Sequence, residues 1–480
     1  MKTKLLASIF ALLIIATAPM LVPALISSAQ ARDGESAQAS ATTTHEFRLD
    51  NGLKLIVRED HRAPVVVSQV WYKVGGSYEH SGITGISHAL EHMMFKGTKK
   101  HPPGTFSRII AEHGGRENAF TGRDYTAYFQ QLEASRLPIS FELEADRMRG
   151  LLLPPEEFAR EIEVIKEERR LRTDDNPQAI TYEQLYATAF NANPYHNPII
   201  GWMNDLEHMT AGDLRKWYDD WYVPDNATLV VVGDVNASEV YSLAKRHYGS
   251  VKKDKKHQVP QLKPRTEPTQ IGERRVTVRA PARVPYLMLG YKVPVVRGAE
   301  VDWEPYALEV LSGVLDGGDS ARFSKHLVRE EGIAANASAS YSPYSRHEDL
   351  LMLDGTPAQG HDAAELEAAL RQQIAQLRDE LITPAELERI KAQVVASDIY
   401  QRDSVFYQAM LIGMLETSGL DWRLADEYLE HIKAVTPEQV REVARKYLTD
   451  DHLTVAVLEP LPIDPSNPPS AAPAGGANVR

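Results

Sequence analysis

Cysteine is absent from this chain of 480 residues. Its absence excludes disulfide bonds, thiol nucleophiles and thiolate metal ligands, although exported proteins often depend on disulfides for stability. Core packing must therefore stabilise the fold, and a metal held by histidine and carboxylate side chains is the other available contribution.

An excess of positive charge is also lacking, since the formal net charge is −13 at pH 7. Nucleic-acid binding needs a concentrated basic surface that neutralises phosphates, so this composition argues against nucleic acid as a partner. Hydrophobic residues make up 43% of the chain and charged residues 25%, which is typical of globular proteins. An acidic surface tolerates basic peptides, but it selects no substrate by itself.

Long apolar segments are lacking except at the N-terminus. A basic start precedes an almost wholly apolar run, 5–26, and Ala29 and Ala31 provide the small-x-small pattern of a cleavage site. We predict that residues 1–31 are a signal peptide, cleaved after Ala31, of a bacterial protein that is periplasmic or secreted. The alternative is an uncleaved anchor, because the run is about long enough to span a bilayer. No later segment is apolar enough, so we expect no stable membrane span after cleavage.

The rest of the chain divides into two regions. A Lys- and Pro-containing linker, 251–273, separates an N-terminal domain, 45–250, from a C-terminal domain, 274–459, and a Pro-, Ala- and Gly-containing tail follows at 460–480. Composition therefore predicts two domains of similar size that are joined near the middle of the folded chain.

An internal duplication relates these regions. The segments that begin at Thr210 and at Thr436 align without gaps, and each contains a capped helix, a polar turn and a β-branched strand. The alternative is that any two helix-turn-strand units look alike, but the shared Thr and the Asp-rich turn favour two homologous halves.

The fold class predicted for each half is α+β, with helices packed on an antiparallel sheet. Short strands and longer helices are mixed along the sequence. The strand-like segments include 53–58 and 65–72, and the helical ones include 135–149, 155–172 and 210–222.

A metal-binding motif stands out in the first half. His88 and His92 are four residues apart, so on a helix both imidazoles lie on one face, and Glu91 precedes the second histidine. This His-x-x-Glu-His order is the inverted form of a zinc-peptidase motif. A third ligand must come from another element, and Glu161 and Glu168 share a face of the helix predicted from Pro155. Spacing alone leaves the choice open between these carboxylates and an ordinary solvated helix face.

The chain resembles the pitrilysin/insulinase family of zinc peptidases, which includes mitochondrial processing peptidase. The similarity extends over residues 45–459 and includes the zinc motif together with these flanking segments: 75–79, 82–85, 95–98, 118–121 and 194–201. The resemblance implies that His88, His92 and Glu168 bind Zn²⁺. It also implies that Glu91 is the general base and that Glu161 is a supporting carboxylate of the site.

The resemblance further assigns a peptide-binding strand. Asn118, Ala119 and Phe120 are expected on a sheet edge near the zinc, where an extended peptide substrate adds as one more strand. The alternative is a plain strand-edge turn after Gly115. Zinc chemistry with Glu91 as base predicts an endopeptidase that acts on peptides or small unfolded proteins. The other functional class is a non-catalytic scaffold or assembly subunit of the same fold.

One departure from the family concerns substrate binding. Self-sufficient members carry an arginine and, shortly after it, a tyrosine in the C-terminal half; Arg329 matches the arginine, but Ala335 stands at the tyrosine position. Alanine has no hydroxyl that could stabilise a developing oxyanion. Either Tyr341 or another donor replaces it and the chain works alone or as a homodimer, or a homologous subunit supplies the Arg/Tyr pair. We favour the second explanation, a heterodimer of which this chain is the catalytic subunit.

Overall fold

The structure is a computed structural model that describes residues 43–251, 258–297 and 301–463. The predicted signal peptide, 1–31, with its cleavage site after Ala31, lies outside the described residues, as do most of the predicted tail and part of the predicted linker. Within these described ranges, no helix combines the length and the apolar character needed to cross a membrane.

The described residues of the first half form a six-stranded sheet. The strands are β1 (Thr44–Arg48), β2 (Lys54–Glu59), β3 (Val65–Tyr72), β4 (Arg116–Thr121), β5 (Thr126–Glu133) and β6 (Ala227–Gly233). The helices are α1 (Ile86–Met93), α2 (Thr105–Glu112), α3 (Leu137–Gly150), α4 (Pro155–Arg169), α5 (Pro177–Ala189), α6 (Met203–His208), α7 (Ala211–Trp221) and α8 (Ala237–His247). The strand order is β1-β2-β6-β3-β5-β4, which leaves β4 at one edge.

The described residues of the second half form a five-stranded sheet. The strands are β7 (Arg274–Pro281), β8 (Tyr286–Val293), β9 (Ala334–Ser340), β10 (Asp349–Pro357) and β11 (Leu453–Leu461). The helices are α9 (Glu304–Asp316), α10 (Ala363–Asp379), α11 (Pro384–Arg402), α12 (Val405–Ser418), α13 (Leu424–Ala434) and α14 (Pro437–Tyr447). The strand order is β7-β11-β8-β10-β9, with β9 at one edge.

The two sheets share one topology, which confirms the α+β fold with two homologous halves. The order β2-β6-β3-β5-β4 in the first sheet corresponds strand by strand to the whole of the second. Each sheet is antiparallel apart from one parallel pair, β2 with β6 and β7 with β11, a detail that the sequence pattern did not predict. The parallel pair is possible because the first and last of the shared strands in each half are separated by a long connection, which contains the other three shared strands and most of the helices.

The predicted duplication reappears at the end of each half. Thr210 caps α7 and Thr436 caps α14, and in both cases the side chain of the third helical residue, Asp213 or Gln439, bonds back to the capping residue. A short turn and the last strand of the sheet follow each helix. The sequence signal therefore corresponds to a repeated helix-turn-strand unit.

Two helices are exchanged between the halves. Helix α5, which precedes the predicted linker, packs on β7, β8 and β11 of the second sheet, and α12 packs on β3 and β6 of the first. This exchange explains why the central strands are apolar on both faces. In β3, for example, Val66 and Val70 belong to the first core, whereas Val67 and Trp71 contact the cluster that includes Ile412 of α12. The predicted domain limits remain predictions, but packing crosses them in both directions.

Candidate metal centre

Helix α1 begins where two loops approach each other closely. Gly85 has a φ of 86°, which glycine adopts without steric cost, and a Cβ on either Gly85 or Gly201 would come within 2.4 Å of backbone in the opposite loop. The Glu79 carboxylate accepts hydrogen bonds from the backbone nitrogens of Gly85 (2.7 Å) and Ser87 (2.8 Å). These contacts satisfy donors of the first turn and fix the start of the helix.

His88 and His92 lie one turn apart on α1 and meet Glu168 of α4. Glu168 Oε2 is 3.7 Å from His88 Nε2 and 3.3 Å from His92 Nε2. One potential ligand atom from each of these residues lies within 4.8 Å of the others. The structure thus brings together the two histidines of the motif and one of the two candidate glutamates.

Glu161 occupies a different position on the same face of α4. Its Oε1 accepts a hydrogen bond from His92 Nδ1 at 2.9 Å, and its Oε2 pairs with Lys96 Nζ at 2.5 Å. In the neutral imidazole, a carboxylate that accepts from Nδ1–H leaves the lone pair on Nε2, the ring nitrogen on the side of Glu168. Glu161 therefore orients a potential ligand, and Lys96 in turn fixes Glu161.

Helix α4 does not continue regularly past Glu168. The sequence predicts helix to Arg172, but α4 ends at Arg169 and a π-helical turn, Arg170–Asp174, follows. The Arg169 guanidinium is buried and binds both carboxylate oxygens of Glu183 in α5, at 2.8 and 3.0 Å. Local widening of a helix is frequent at functional sites, and here it directly follows Glu168.

The charges around this cluster shift the pKa values of its members. Burial lowers the pKa of His88 to about 4. Burial also opposes the charge on His92, but its hydrogen bonds to Glu161 and Glu168 outweigh that effect and raise its pKa to about 9. For Glu168, burial is outweighed by the hydrogen bond to His92 and by the charges of His88 and Arg172, so its pKa falls to about 2.

The donor set fits a zinc ion. Two imidazole nitrogens and one carboxylate oxygen are the three protein ligands found in many catalytic zinc sites. His88 is a buried imidazole whose Nδ1 has no hydrogen-bond partner among the described residues and whose Nε2 is too far from Glu168 for a hydrogen bond. A buried polar ring without a partner is costly, and a bound metal would provide one.

Glu91 is hydrogen-bonded to the strand at the sheet edge. Thr121 Oγ1, at the end of β4, donates a hydrogen bond to Glu91 Oε2 at 2.5 Å. Burial raises the pKa of Glu91 despite this hydrogen bond and the nearby charge of His92. The carboxyl is thus held beside the cluster in a position that favours proton uptake.

The predicted peptide-binding residues lie on β4, which pairs only with β5 among the described strands. Asn118 is exposed, whereas Ala119 packs against the first core and Phe120 contacts the edge of the Trp71 ring. The free edge of β4 ends at Thr121, next to Glu91. The structure therefore places Asn118, Ala119 and Phe120 on an open strand edge that runs to the cluster.

The predicted substrate-binding residues of the second half are arranged differently. Arg329 lies in a π-helical segment, Phe323–Glu330, that packs against β9, the strand that carries Ala335. The Tyr341 hydroxyl donates a hydrogen bond to Pro294 O at 2.7 Å, and its side chain is half-buried against the second core. Tyr341 is therefore engaged within the second half, and no contact described for Arg329 or Tyr341 joins either to the cluster.

Sequence reasoning missed three residues that contact the site. Thr121 and Lys96 lie in the flanking segments 118–121 and 95–98, but neither side chain has a role in the sequence-based prediction. Arg172 pairs with Glu168 Oε1 at 2.8 Å, and its i,i+4 spacing from Glu168 was the available signal.

Fold and site together define a metallopeptidase-like chain with two homologous halves and an inverted His/His/Glu centre in the first. Two family models match it: insulinase, peptidase family M16, over residues 54–202, and the peptidase M16 inactive domain over residues 208–394. The chain belongs to the insulinase family, M16, whose members depend on zinc.

Curated relatives agree with this assignment. The zinc protease PqqE of Helicobacter pylori is 33% identical over 432 residues, which cover 88% of this chain and 94% of that protein. The uncharacterised zinc protease YmxG of Bacillus subtilis is 27% identical over 416 residues, which cover 86% of this chain and 98% of that protein. These names support a peptidase-like role with Zn²⁺ as the cofactor.

Solved structures share the fold. A protease from Helicobacter pylori superposes with a TM-score of 0.83 at 31% identity, covering 87% of this chain and all of that one. The periplasmic protease PqqL from Escherichia coli superposes with a TM-score of 0.71 at 18% identity, covering 88% of this chain but 49% of PqqL. This chain therefore corresponds in fold to about half of PqqL.

Proposed function

We propose that the protein is a zinc-dependent endopeptidase that hydrolyses peptides or small unfolded proteins. In this proposal His88, His92 and Glu168 hold the metal, and Glu161 orients His92. The observation that carries it is the convergence of His88, His92 and Glu168 beside Glu91. Glu91 is not one of the three ligands, so its carboxyl is free to act as a base.

Glu91 performs the proton transfers. When bound, Zn²⁺ polarises the scissile carbonyl and makes its water more acidic. The Glu91 carboxylate accepts the water proton and then delivers it to the leaving amine, and Thr121 fixes the carboxylate through Oε2. Burial, which raises the pKa of Glu91, increases its affinity for that proton.

The substrate binds in an extended conformation along β4. The unpaired backbone groups of an edge strand form hydrogen bonds with any extended peptide, so recognition depends little on sequence. Asn118, Ala119 and Phe120 are the residues of β4 that such a peptide passes before it reaches Glu91. This arrangement favours unfolded over folded substrates.

A homologous subunit completes the substrate site. Ala335 provides no hydroxyl, and the Tyr341 hydroxyl is bound to Pro294 O, so this chain offers no tyrosine at the expected position. The correspondence to about half of PqqL supports a functional unit made of two such chains. In a heterodimer the partner carries the Arg/Tyr pair; in a homodimer Arg329 acts without the tyrosine.

The site of action is the periplasm, after removal of residues 1–31. The N-terminal sequence supports export, and PqqL, a neighbour in fold, is described as a periplasmic protease.

A non-catalytic scaffold is the second candidate, because one matching family model is described as an inactive domain. That match covers residues 208–394 and leaves out all of the proposed metal ligands, which lie within the insulinase match at 54–202. The complete ligand set favours the peptidase.

The decisive test is Glu91→Gln, which removes the base but none of the ligands. We expect zinc content equal to that of the wild type and a fall in kcat of about 10²- to 10⁴-fold on an unstructured peptide. Glu163→Gln is the matched control, because Glu163 is an exposed glutamate of α4 that pairs with Lys166. Near-normal turnover of Glu91→Gln would disprove the assignment, and a wild type that purifies without zinc would favour the scaffold.

The subunit proposal is tested separately. The purified chain should cleave unstructured peptides poorly alone and gain activity with the partner identified by mass spectrometry after co-purification from the native host. Robust hydrolysis by the isolated chain would contradict a required heterologous partner.

A further inference from the structure

The turn between β4 and β5 connects the catalytic carboxyl to the second half. Thr121, which holds Glu91, is followed by the turn 122–125. The turn packs against the loop before α1: Gly76 N donates to Gly122 O at 3.2 Å, and Ser77 N donates to Arg123 O at 2.6 Å. The position of Thr121, the last residue of β4, therefore depends on the contacts that fix this turn.

Arg123 fixes the turn to residues outside the first sheet. Its Nη1 lies 3.2 Å from both carboxylate oxygens of Asp349, at the start of β10, and its Nη2 donates to Tyr182 Oη at 2.9 Å. The guanidinium also lies over the rings of Tyr186, at 3.9 Å, and Tyr195, at 4.8 Å. Tyr182 and Tyr186 belong to α5, the helix that packs on the second sheet.

The charge of Arg123 has little alternative to these partners. Asp349 is 8% exposed, and its Oδ1 also accepts hydrogen bonds from Tyr186 Oη and from the backbone of Leu350. Arg123 is largely buried, with 19% of its side chain exposed, and such a cation must move toward water or leave a charge uncompensated when it loses its counter-charge. Removing the charge of Asp349 should therefore displace the turn rather than leave it in place.

The next residue of the turn makes a parallel connection. Asp124 is buried, accepts a hydrogen bond from Ser77 Oγ at 2.7 Å, and is also bonded to the Tyr195 hydroxyl. Its Oδ2 accepts from the backbone nitrogen of Arg346 in the second half at 3.1 Å. Both residues at the tip of the turn are thus held from the second half.

We infer that Arg123, held by Asp349 of the second half, is a positioning residue that sets the orientation of Glu91 through Thr121. This inference rests on the proposed peptidase function and deepens it. Through Asp349 the second half then contributes to catalysis without a contact to the metal, because it fixes the strand end that holds the base. Asp349 and Tyr182 act indirectly, because they hold the Arg123 guanidinium in place.

The first test compares two ion pairs that join the halves. Asp349→Asn is isosteric and removes the charge opposite Arg123. The control is Glu416→Gln, which breaks the ion pair between Lys54 Nζ in β2 and Glu416 Oε2 in α12, 2.8 Å apart. This second pair also joins the halves but is not connected to Thr121. We expect Asp349→Asn to lower kcat at least tenfold, with a smaller change in KM and unchanged zinc content. Glu416→Gln should change kcat less than twofold, even if it lowers the Tm as much as Asp349→Asn does.

The second test is a double-mutant cycle that separates positioning from general loss of structure. If Arg123 acts through Thr121, then Asp349→Asn should lower kcat much less in a Thr121→Val background than in the wild type. Multiplicative effects of the two substitutions on kcat, or equal losses in Asp349→Asn and Glu416→Gln, would overturn the inference.

Tyr182→Phe provides a milder perturbation if Asp349→Asn does not fold. It removes one hydrogen bond to Arg123 and should lower kcat severalfold in the wild-type background and not in Thr121→Val. Absence of that difference would also overturn the inference. A wild type that is inactive even when its partner subunit is present would instead count against the proposed function itself, so the two failures are distinguishable.

Discussion

Helices α1 and α9 occupy equivalent places in the two halves, since each follows a central strand of its sheet, β3 or β8, and precedes the edge strand, β4 or β9. Both contain the sequence Ala-Leu-Glu, which aligns Glu91 with Glu309. The same alignment places Tyr306 where the first half has His88, and Val310 where it has His92. Val310 is fully buried in the second core, so α9 has a core residue where α1 has a proposed metal ligand.

The partner helices α4 and α11 differ in the same way. Each begins with a proline, and equal spacing from Pro155 and Pro384 aligns Glu161 with Ile390 and Glu168 with Ser397. Ile390 is 1% exposed and belongs to the core of the second half. The same architecture therefore folds without a charged cluster at these four positions, which supports the proposal that the cluster of the first half serves chemistry and not folding.

The largest expected effect comes from giving α1 the residue that α9 has. His92→Val should lower zinc affinity by at least about 100-fold, because one of three ligands and the link to Glu161 are lost, and should abolish zinc-dependent hydrolysis. Zinc content after dialysis measures the loss of affinity, and circular dichroism should show that the variant keeps its fold. Val310→His is the reciprocal variant and should bind no zinc, since Ile390 and Ser397 provide no carboxylate. Zinc retention by His92→Val would show that the ligand set is wrong.

The sequence predicted the fold class and the local part of the site. The His88, Glu91 and His92 motif follows from helical period, and the duplication from repeated caps and turns. Spacing alone could not choose between Glu161 and Glu168, because both lie on one face of α4; the choice depended on family resemblance, and the structure places Glu168 with the histidines. Residues that reach the site across elements, such as Thr121, could not be predicted, because their contacts depend on how distant segments pack.

The exchanged helices were also beyond sequence reasoning, because the periodicity of α5 or α12 does not say which sheet it covers. Their contacts are reciprocal: on α12, Gly413 lies against Trp71 of β3, and on α5, Leu185 approaches Gly290 of the equivalent strand β8. In one interface the glycine is on the helix, and in the other it is on the strand. In both interfaces a glycine on one element thus leaves room for a large side chain on the other.

This reciprocity predicts unequal costs for the same substitution. A Cβ on Gly413 would lie 2.0 Å from Trp71 Cε2 in a fully buried indole, so Gly413→Ala should destabilise the protein by about 3 kcal/mol despite the better helix propensity of alanine. A Cβ on Gly290 would meet the terminal methyl of Leu350 at 2.8 Å, which can rotate away, so Gly290→Ala should cost less. Urea unfolding of the zinc-loaded variants measures both. Equal costs would mean that the two interfaces are equally adaptable.

The smallest expected effect concerns Glu309, the counterpart of Glu91. Burial raises its pKa from the ordinary 4.5 to about 7, although the Tyr428 hydroxyl donates to its Oε1, and its Oε2 has no partner among the described residues. A carboxyl with a raised pKa in the folded state favours folding when protonated, so its contribution to stability is lost as pH rises from about 4.5 to 7. The full shift corresponds to about 3 kcal/mol.

Glu309→Gln removes this titration and keeps a side chain that can accept from Tyr428. Above pH 7 the variant should be more stable than the wild type by about 1 to 2 kcal/mol, less than the full shift because its buried amide lacks a partner for its N–H groups. Below about pH 4.5 the advantage should disappear, since wild-type Glu309 is then protonated in both states. The free energy of unfolding at pH 8 and pH 4.5 measures the difference, with peptidase activity unchanged. A pH-independent difference would mean that Glu309 is solvated and that burial does not raise its pKa.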